Sequence, residues 1–218
     1  MKKYISAFAL SALVCSSCSD FLDVQPEGDA TTTQYFTNDQ QAIDAIDGLY
    51  ERFHQEGCYG RELFWEQGAA CDIVWGRTRG YNTLATLNYN GDESPLRDVF
   101  SRMYSTMARA NWVIEGLLNK EKNTALSEVE KRSLGEAYFN RAWAHFIIAY
   151  RYGTDKQGVP FVRYEDFENG YDNSIPPQRA SVMENYQLII EDMDKAINCL
   201  PRFEEYDADN RGRAHDAA

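Results

Sequence analysis

The 218-residue sequence predicts an all-α fold built from successive antiparallel helices. Apolar residues recur three and four positions apart over four long segments, which is the period of an amphipathic helix. Three of those segments begin with Ser or Thr followed three positions later by Glu or Gln, the sequence of a helical capping box. No two alternating segments are joined by a tight-turn sequence, so no β-hairpin is predicted.

The first residues have the pattern of a lipoprotein signal peptide. A basic start at Lys2 and Lys3 precedes an apolar stretch over residues 5–14, which is too short to span a bilayer. Ser17 is small and directly precedes Cys18, as lipoprotein signal peptidase requires when the cysteine is to be diacylated. We therefore expect removal of residues 1–17, lipid attachment at Cys18 and a tether over residues 18–37. The alternative is an ordinary signal peptide with incidental cysteines.

The first helix is predicted to begin at a capping box formed by Thr37 and Gln40 and to end before Gly57. Its apolar face consists of Ala42, Ile46, Leu49, Tyr50 and Phe53. Residues 61–70 are predicted to form a shorter second helix. Residues 73–90 contain glycines and mix Trp, Tyr, Asn and Thr without a period, which predicts a long loop.

Three longer helices follow. Their start signals are Ser94 with Pro95, Ser127 with Glu130, and Ser181 with Glu184. Apolar residues continue at helical spacing to Leu118 in the first, Tyr152 in the second and Leu200 in the third, where Pro201 ends the helix. Trp112 and Trp143 lie within these helices and are predicted to pack in the core or between helices.

The helix that begins at Ser127 carries two charged residues of special interest. Glu136 and Arg141 are five positions apart, a spacing that does not place two side chains together on one helix face. Each is therefore predicted to reach a partner on a neighbouring helix or on the backbone.

Composition and motifs exclude several classes of function. The formal net charge of -12 would repel nucleic acid and anionic lipid headgroups. The sequence lacks G-x-S-x-G, G-x-G-x-x-G and P-loop motifs, and its histidines and cysteines have no metal-ligand spacing, so no cofactor or metal is predicted. Cys58, Cys71 and Cys199 allow at most one disulfide among them, and whether it forms is left open.

A set of motifs distributed over the chain follows the pattern of one family. The most specific block runs from Gly135 to Phe146 and is similar to the family block EAxFLRAxxYF. Other motifs are residues 18–26, residues 158–162 and residues 212–214. Together they resemble the SusD/RagB-like nutrient-binding lipoproteins of Bacteroidetes outer membranes. Members of that family continue well beyond the length of this chain, so residues 38–218 are expected to be the N-terminal portion of the family's helical domain.

The resemblance implies a TPR-like antiparallel helical scaffold, incomplete in this chain and with long irregular loops. It also implies a lipoprotein of the outer membrane, anchored through Cys18 and facing the cell exterior. Such a protein would bind oligosaccharides, or peptides in some members, and deliver them to a SusC-like TonB-dependent transporter. The resemblance implies no enzymatic activity, and no catalytic residue is assigned.

The stretch from Asp72 to Asn82 is the predicted ligand site, because family members often place ligand contacts in the loop region after the second helix. Trp75 or Tyr81 would be the platform on which a sugar ring stacks, while Asp72, Arg77 and Asn82 would form hydrogen bonds to hydroxyl groups. The alternative is that Trp75 packs into the scaffold and the arginines are solvated.

Two rival functions come from other classes. A secreted helical glycoside hydrolase would need two pocket carboxylates roughly 5 to 9.5 Å apart, which sequence alone does not test. A TPR-type adaptor would bind a protein or peptide in its concave face. Product formation from oligosaccharides would distinguish the hydrolase, and co-purification of a partner barrel would distinguish a transporter-associated binder from the adaptor.

Overall fold

The computed structural model of the chain describes residues 35–71, 75, 81–172, 174–206, 210 and 212–216. This part of the chain contains six α-helices and no strand, which confirms the all-α prediction. The helices are α1 Asp39–His54, α2 Glu62–Ala69, α3 Tyr81–Ala85, α4 Ser94–Glu121, α5 Glu128–Tyr152 and α6 Val182–Cys199. The predicted signal peptide and nearly all of the predicted tether lie outside the described residues, and both stay predictions.

The ends of the helices follow local capping chemistry. The boxes of Ser127 with Glu130 and of Ser181 with Glu184 are both present, and each begins its helix as predicted. The box predicted at Thr37 is wrong, because Asn38 is the cap of α1 and its side-chain oxygen accepts from the Gln41 amide at 3.0 Å.

The start of α4 and the presence of α3 also differ from the prediction. Helix α4 includes Ser94 itself and has Glu93 as its N-cap, so Pro95 occupies the first turn. Helix α3 lies within the predicted loop over residues 73–90. Both of its buried residues, Tyr81 and Leu84, pack into a small cluster with Ala69 of α2. Contacts with another element, which a local pattern does not show, therefore support this five-residue helix.

Helix α5 lies at the centre of the fold and packs against α1, α4 and α6. The apolar contacts form two clusters along it. The cluster toward the start of α5 includes Ile46, Leu49, Ile114, Leu117 and Ala137, and the cluster toward its end includes Val99, Met103, Ala144, Ile148 and Val159. Trp112 packs against the first cluster and Trp143 against the second, as predicted.

A glycine lets α5 and the end of α6 approach closely. A Cβ atom at Gly135 would lie 2.9 Å from Cys199 Cβ and 3.0 Å from Leu200 Cγ, closer than packed carbon atoms allow. The long connection over residues 153–181 then leaves the other end of α5 and returns to α6. It contains a short 3₁₀ turn, Tyr164–Asp166, and a single antiparallel bridge between Pro160 and Arg179.

Candidate functional site

The predicted ligand stretch lies between α2 and α3, and three of its five named residues are described. Trp75 is 68% exposed, and Asn82 is exposed in the first turn of α3. Tyr81 is buried, with 9% of its surface exposed. Asp72 and Arg77 lie outside the described residues, so their roles stay predictions.

Tyr81 joins α3 to α2 through its hydroxyl group, which donates to the Glu62 carboxylate. Glu62 is buried and also accepts from Arg61 Nε at 2.9 Å and Nη2 at 2.7 Å. Burial, together with the hydrogen bond to Glu62 and its negative charge, raises the pKa of Tyr81 to about 12, so the phenol stays protonated. Trp75 thus presents an exposed ring, whereas Tyr81 fixes the start of α3.

Sequence reasoning missed two exposed aromatic side chains on α2. Phe64 is 63% exposed and Trp65 is 57% exposed, and the Trp65 ring lies 6.4 Å from the ring of Tyr81. The sequence signal that could have indicated them is a pair of adjacent aromatic residues in a short predicted helix. The sequence did not show which face of α2 is buried, and in the structure that face carries Leu63 and two glutamates.

The second buried glutamate of α2, Glu66, forms an ion pair with Arg151 near the end of α5. One oxygen of Glu66 and the Nε of Arg151 are buried without a hydrogen-bond partner. The inner face of α2 is therefore tied to α5 by a charge pair with incomplete hydrogen bonding, while its outer face presents Phe64 and Trp65.

A buried ionic junction surrounds Arg141 of α5, which has no exposed surface. Its Nε and Nη2 donate to the two oxygens of Asp192 on α6, each at 2.7 Å. Its Nη1 and Nη2 donate to Glu165 at 2.8 and 2.6 Å, and Nη1 also donates to Asn111 Oδ1 at 2.6 Å. All five N–H groups of the guanidinium are thus used, which confirms the prediction that Arg141 reaches partners beyond its own helix.

The electrostatics of the junction follow from this geometry. Burial raises the pKa of Glu165, but the hydrogen bonds and positive charge of Arg141 outweigh burial and hold that pKa below its usual value. Asp192 receives a bidentate contact from Arg141, but at this fully buried carboxylate burial outweighs Arg141 and raises the pKa above its usual value. The junction therefore fixes the 3₁₀ turn of the long connection to α4, α5 and α6.

Glu136 also has a partner outside α5, as predicted. Arg213 Nε lies 3.0 Å from both Glu136 oxygens, and Arg213 Nη1 donates to Asp47 of α1 at 2.8 Å. The segment around residues 212–214, which carries one of the family-like motifs, is thereby held against α1 and α5.

Among the described residues, no group of three His, Cys, Asp or Glu side chains is placed to share a metal ion. Cys58, Cys71 and Cys199 are free thiols in the structure. Within the described ranges, no helix combines the length and apolar character needed to cross a membrane.

Comparison with known proteins relates these features to one family. Residues 20–215 match the family model SusD-like_3, described as "Starch-binding associating with outer membrane". A SusD-like protein of Bacteroides ovatus is 26% identical over 203 residues, covering 92% of this chain and 35% of that protein. The SusD-like protein P38 of Formosa agariphila is 27% identical over 189 residues, covering 86% of this chain and 35% of that protein.

Solved structures share the fold at low identity. A SusD homolog of Bacteroides thetaiotaomicron superposes with a TM-score of 0.70 at 20% identity, covering 85% of this chain and 35% of the other. A SusD-like carbohydrate binding protein of Bacteroides fragilis gives a TM-score of 0.60 at 20% identity, covering 84% and 35%. These likenesses confirm the TPR-like helical architecture.

The chain spans about a third of the length of these relatives, with 35% of each covered. The match to the family model nevertheless extends over nearly all of this chain. The chain therefore belongs to the SusD-like family, whose model is described as starch-binding and associating with the outer membrane.

Proposed function

We propose that this protein is a cell-surface lipoprotein, anchored through Cys18, that binds oligosaccharides and delivers them to a SusC-like TonB-dependent transporter. The match of residues 20–215 to the starch-binding family carries this proposal. The leader sequence before Cys18 supports lipidation at that residue. The two acyl chains of a diacylated cysteine would give lasting membrane attachment. Peptides are the alternative ligand class.

The proposed ligand site centres on Trp75. Trp75 is 68% exposed, so its indole can offer a flat apolar face to the C–H surface of a sugar ring. Asp72, Arg77 and Asn82 are proposed to bind the hydroxyl groups around that ring. Tyr81 would contribute by fixing the start of α3, beside Asn82, through its hydrogen bond to Glu62.

No catalytic step is part of the proposal. Glu62 and Glu66 are the carboxylates of α2 that precede Trp75 in the chain, and a hydrolase would need such groups free to act on substrate. Glu62 accepts from Arg61 and Tyr81, and Glu66 is paired with Arg151. Their engagement within the fold favours a binding role.

The test is calorimetric titration of the chain with a panel of neutral oligosaccharides, beginning with maltoheptaose, and with peptides. Trp75→Ala is expected to weaken the binding of an oligosaccharide at least several-fold while helix content stays unchanged. The same mixtures, assayed for new reducing ends, are expected to show none.

A matched control is Phe203→Ala, which removes an exposed aromatic ring near the end of α5 that is opposite to the end contacting α2. Gly135 of α5 contacts Leu200, which is close to Phe203 in the chain, whereas Arg151 of α5 contacts α2. Gly135 and Arg151 are 16 residues apart along α5. This separation corresponds to about 24 Å. Equal loss of affinity in both variants, or no loss in the Trp75 variant, would refute the site, and failure of every oligosaccharide to bind would refute the function.

A further inference from the structure

A second aromatic surface lies far from Trp75 in sequence, in a cleft of about 240 Å³ between α4 and the connection that follows α5. The wall from α4 includes Tyr104, Met107 and Ala108, and the wall from the connection includes Pro160, Tyr164 and Tyr171. Neither the ligand stretch predicted from the sequence nor the aromatic residues of α2 contribute to it.

The aromatic rings of the connection are arranged against each other. Tyr164 and Tyr171 stack with centroids 5.4 Å apart and planes inclined by 16°. Phe167, which is 44% exposed, meets Tyr171 edge-on with centroids 5.3 Å apart. Tyr164 and Tyr171 are each half-buried, so they present part of their ring surface to the cleft.

The connection is held in place by hydrogen bonds from two helices. Tyr104 donates to the Pro160 carbonyl at 2.8 Å, and Asn111 Nδ2 donates to the Val162 carbonyl at 2.9 Å. Arg141 holds Glu165 through two further hydrogen bonds. Because these bonds fix both walls before any ligand arrives, a ligand would bind without the entropic cost of ordering the connection.

The cleft has no charged side chain among the described residues that line it, although 26% of the whole sequence is charged. An ionic ligand would lose its hydration there without gaining a counter-charge, so the cleft favours a neutral ligand. Its volume is below the roughly 300–1,000 Å³ of sites for drug-sized ligands, so it suits one ring. The apolar C–H face of a pyranose fits the faces of tyrosine rings.

We propose that this cleft binds one neutral sugar ring, as a subsite separate from the Trp75 site. The proposal rests on the proposed function, since it assumes that the ligand is an oligosaccharide. It adds a second contact on different elements of the fold, so that one glycan chain, or two, can engage the protein at both places.

The experiment uses the chain labelled with fluorotyrosine and ¹⁹F NMR, with the Tyr164 and Tyr171 resonances assigned through Tyr164→Phe and Tyr171→Phe. The probes are neutral methyl glycosides of glucose, galactose, mannose and xylose, followed by maltoheptaose. At least one glycoside is expected to shift both resonances, and the shift is expected to persist in Trp75→Ala. Persistence would show that the cleft binds sugar independently of the first site.

Ala108→Phe tests the location directly. Ala108 is exposed, so a larger side chain there fills the cleft without entering the core. This variant is expected to abolish the shifts and to weaken oligosaccharide binding about two- to tenfold, the scale of one aromatic stacking contact. Ser101→Phe places the same side chain at an exposed position of α4 outside the cleft and is expected to change neither.

Four results would overturn the subsite. If sugar binding depends on Trp75 but does not shift the Tyr164 and Tyr171 resonances, the subsite is refuted and the proposed function is not. Shifts that survive Ala108→Phe would place the sugar elsewhere, and a proline-rich peptide that moves these resonances when no sugar does would assign the cleft to peptides. Absence of any sugar binding, at either place, would refute the proposed function as well.

Discussion

Replacement of Arg141 by Met would test the buried junction, because it removes a fully buried guanidinium and leaves its partners without their donors. Asp192 has no exposed surface, and the side chain of Glu165 is only 12% exposed, so water does not replace the lost hydrogen bonds. Breaking a buried ion pair by removing one partner costs about 3–5 kcal/mol. Because whole domains are stable by only about 5–15 kcal/mol, Arg141→Met is expected to remove a large part of the stability.

The loss should depend on pH with a definite sign. In the wild type the pKa of Glu165 lies below its usual value, so this group contributes stability above its unfolded pKa, and that stability is lost as pH falls through the folded pKa. Burial already raises the pKa of Asp192 in the wild type, and without Arg141 it is expected to raise that pKa further and to bring the pKa of Glu165 above its unfolded value. Lys195, 3.8 Å from Glu165, offsets part of this change. Arg141→Met is therefore expected to cost most at pH 7 and less near pH 4.

Urea unfolding at both pH values, followed by circular dichroism, gives the free energy of unfolding that tests this prediction. Lys131→Met removes an exposed ion pair from the same helix and is expected to leave the midpoint unchanged. The double variant Arg141→Met with Asp192→Leu is expected to recover part of the loss, because it no longer leaves Asp192 as an unpaired charge. A loss below about 0.5 kcal/mol at pH 7, or a loss of the same size at both pH values, would refute the reasoning.

Three further predictions concern single positions. Gly135→Val is expected to destabilise the fold by about 1–3 kcal/mol, since its Cβ would meet Cys199 Cβ at 2.9 Å, and an unchanged urea midpoint would contradict the close packing. Tyr81→Phe is expected to cost about 1–3 kcal/mol by removing the buried hydrogen bond to Glu62, as measured by thermal unfolding, and a wild-type melting temperature would show that α3 is anchored otherwise. Cys18→Ala is expected to release the protein from membranes and to abolish fatty-acid labelling, and a variant that still incorporates label would refute lipidation there.

The capping boxes of α5 and α6 were predictable because each depends on residues only three positions apart, Ser127 with Glu130 and Ser181 with Glu184. The start of α1 was mispredicted by one residue, since Thr37 and Asn38 are both suitable caps and each is followed three positions later by Gln; the structure uses Asn38, the stronger cap. Helix α3 could not be predicted, because the group that anchors it, Glu62, lies 19 residues from Tyr81.

The same limit applies to the candidate site. Spacing indicated that Arg141 needs a partner outside its own helix, but nothing in the sequence identified Glu165 or Asp192 among 34 acidic residues. Trp75 and Tyr81 were equal candidates as stacking platforms, because both are aromatic and lie in a stretch without periodicity. Only the packing of α3 on α2 shows that one ring is exposed and the other buried.

The Arg141 junction also bears on how the fold comes apart. Its acceptors lie 24, 30 and 51 residues from Arg141, so they converge only when α4, α5, α6 and the 3₁₀ turn are all docked. If α6 alone detached, the buried guanidinium of Arg141 would lose its acceptor Asp192. Such a partly opened state is costly because it leaves a buried charge incompletely paired. The junction thus penalises partial opening and couples these elements into one cooperative unit, so that amide hydrogens of α5 and α6 exchange with solvent through a shared opening event.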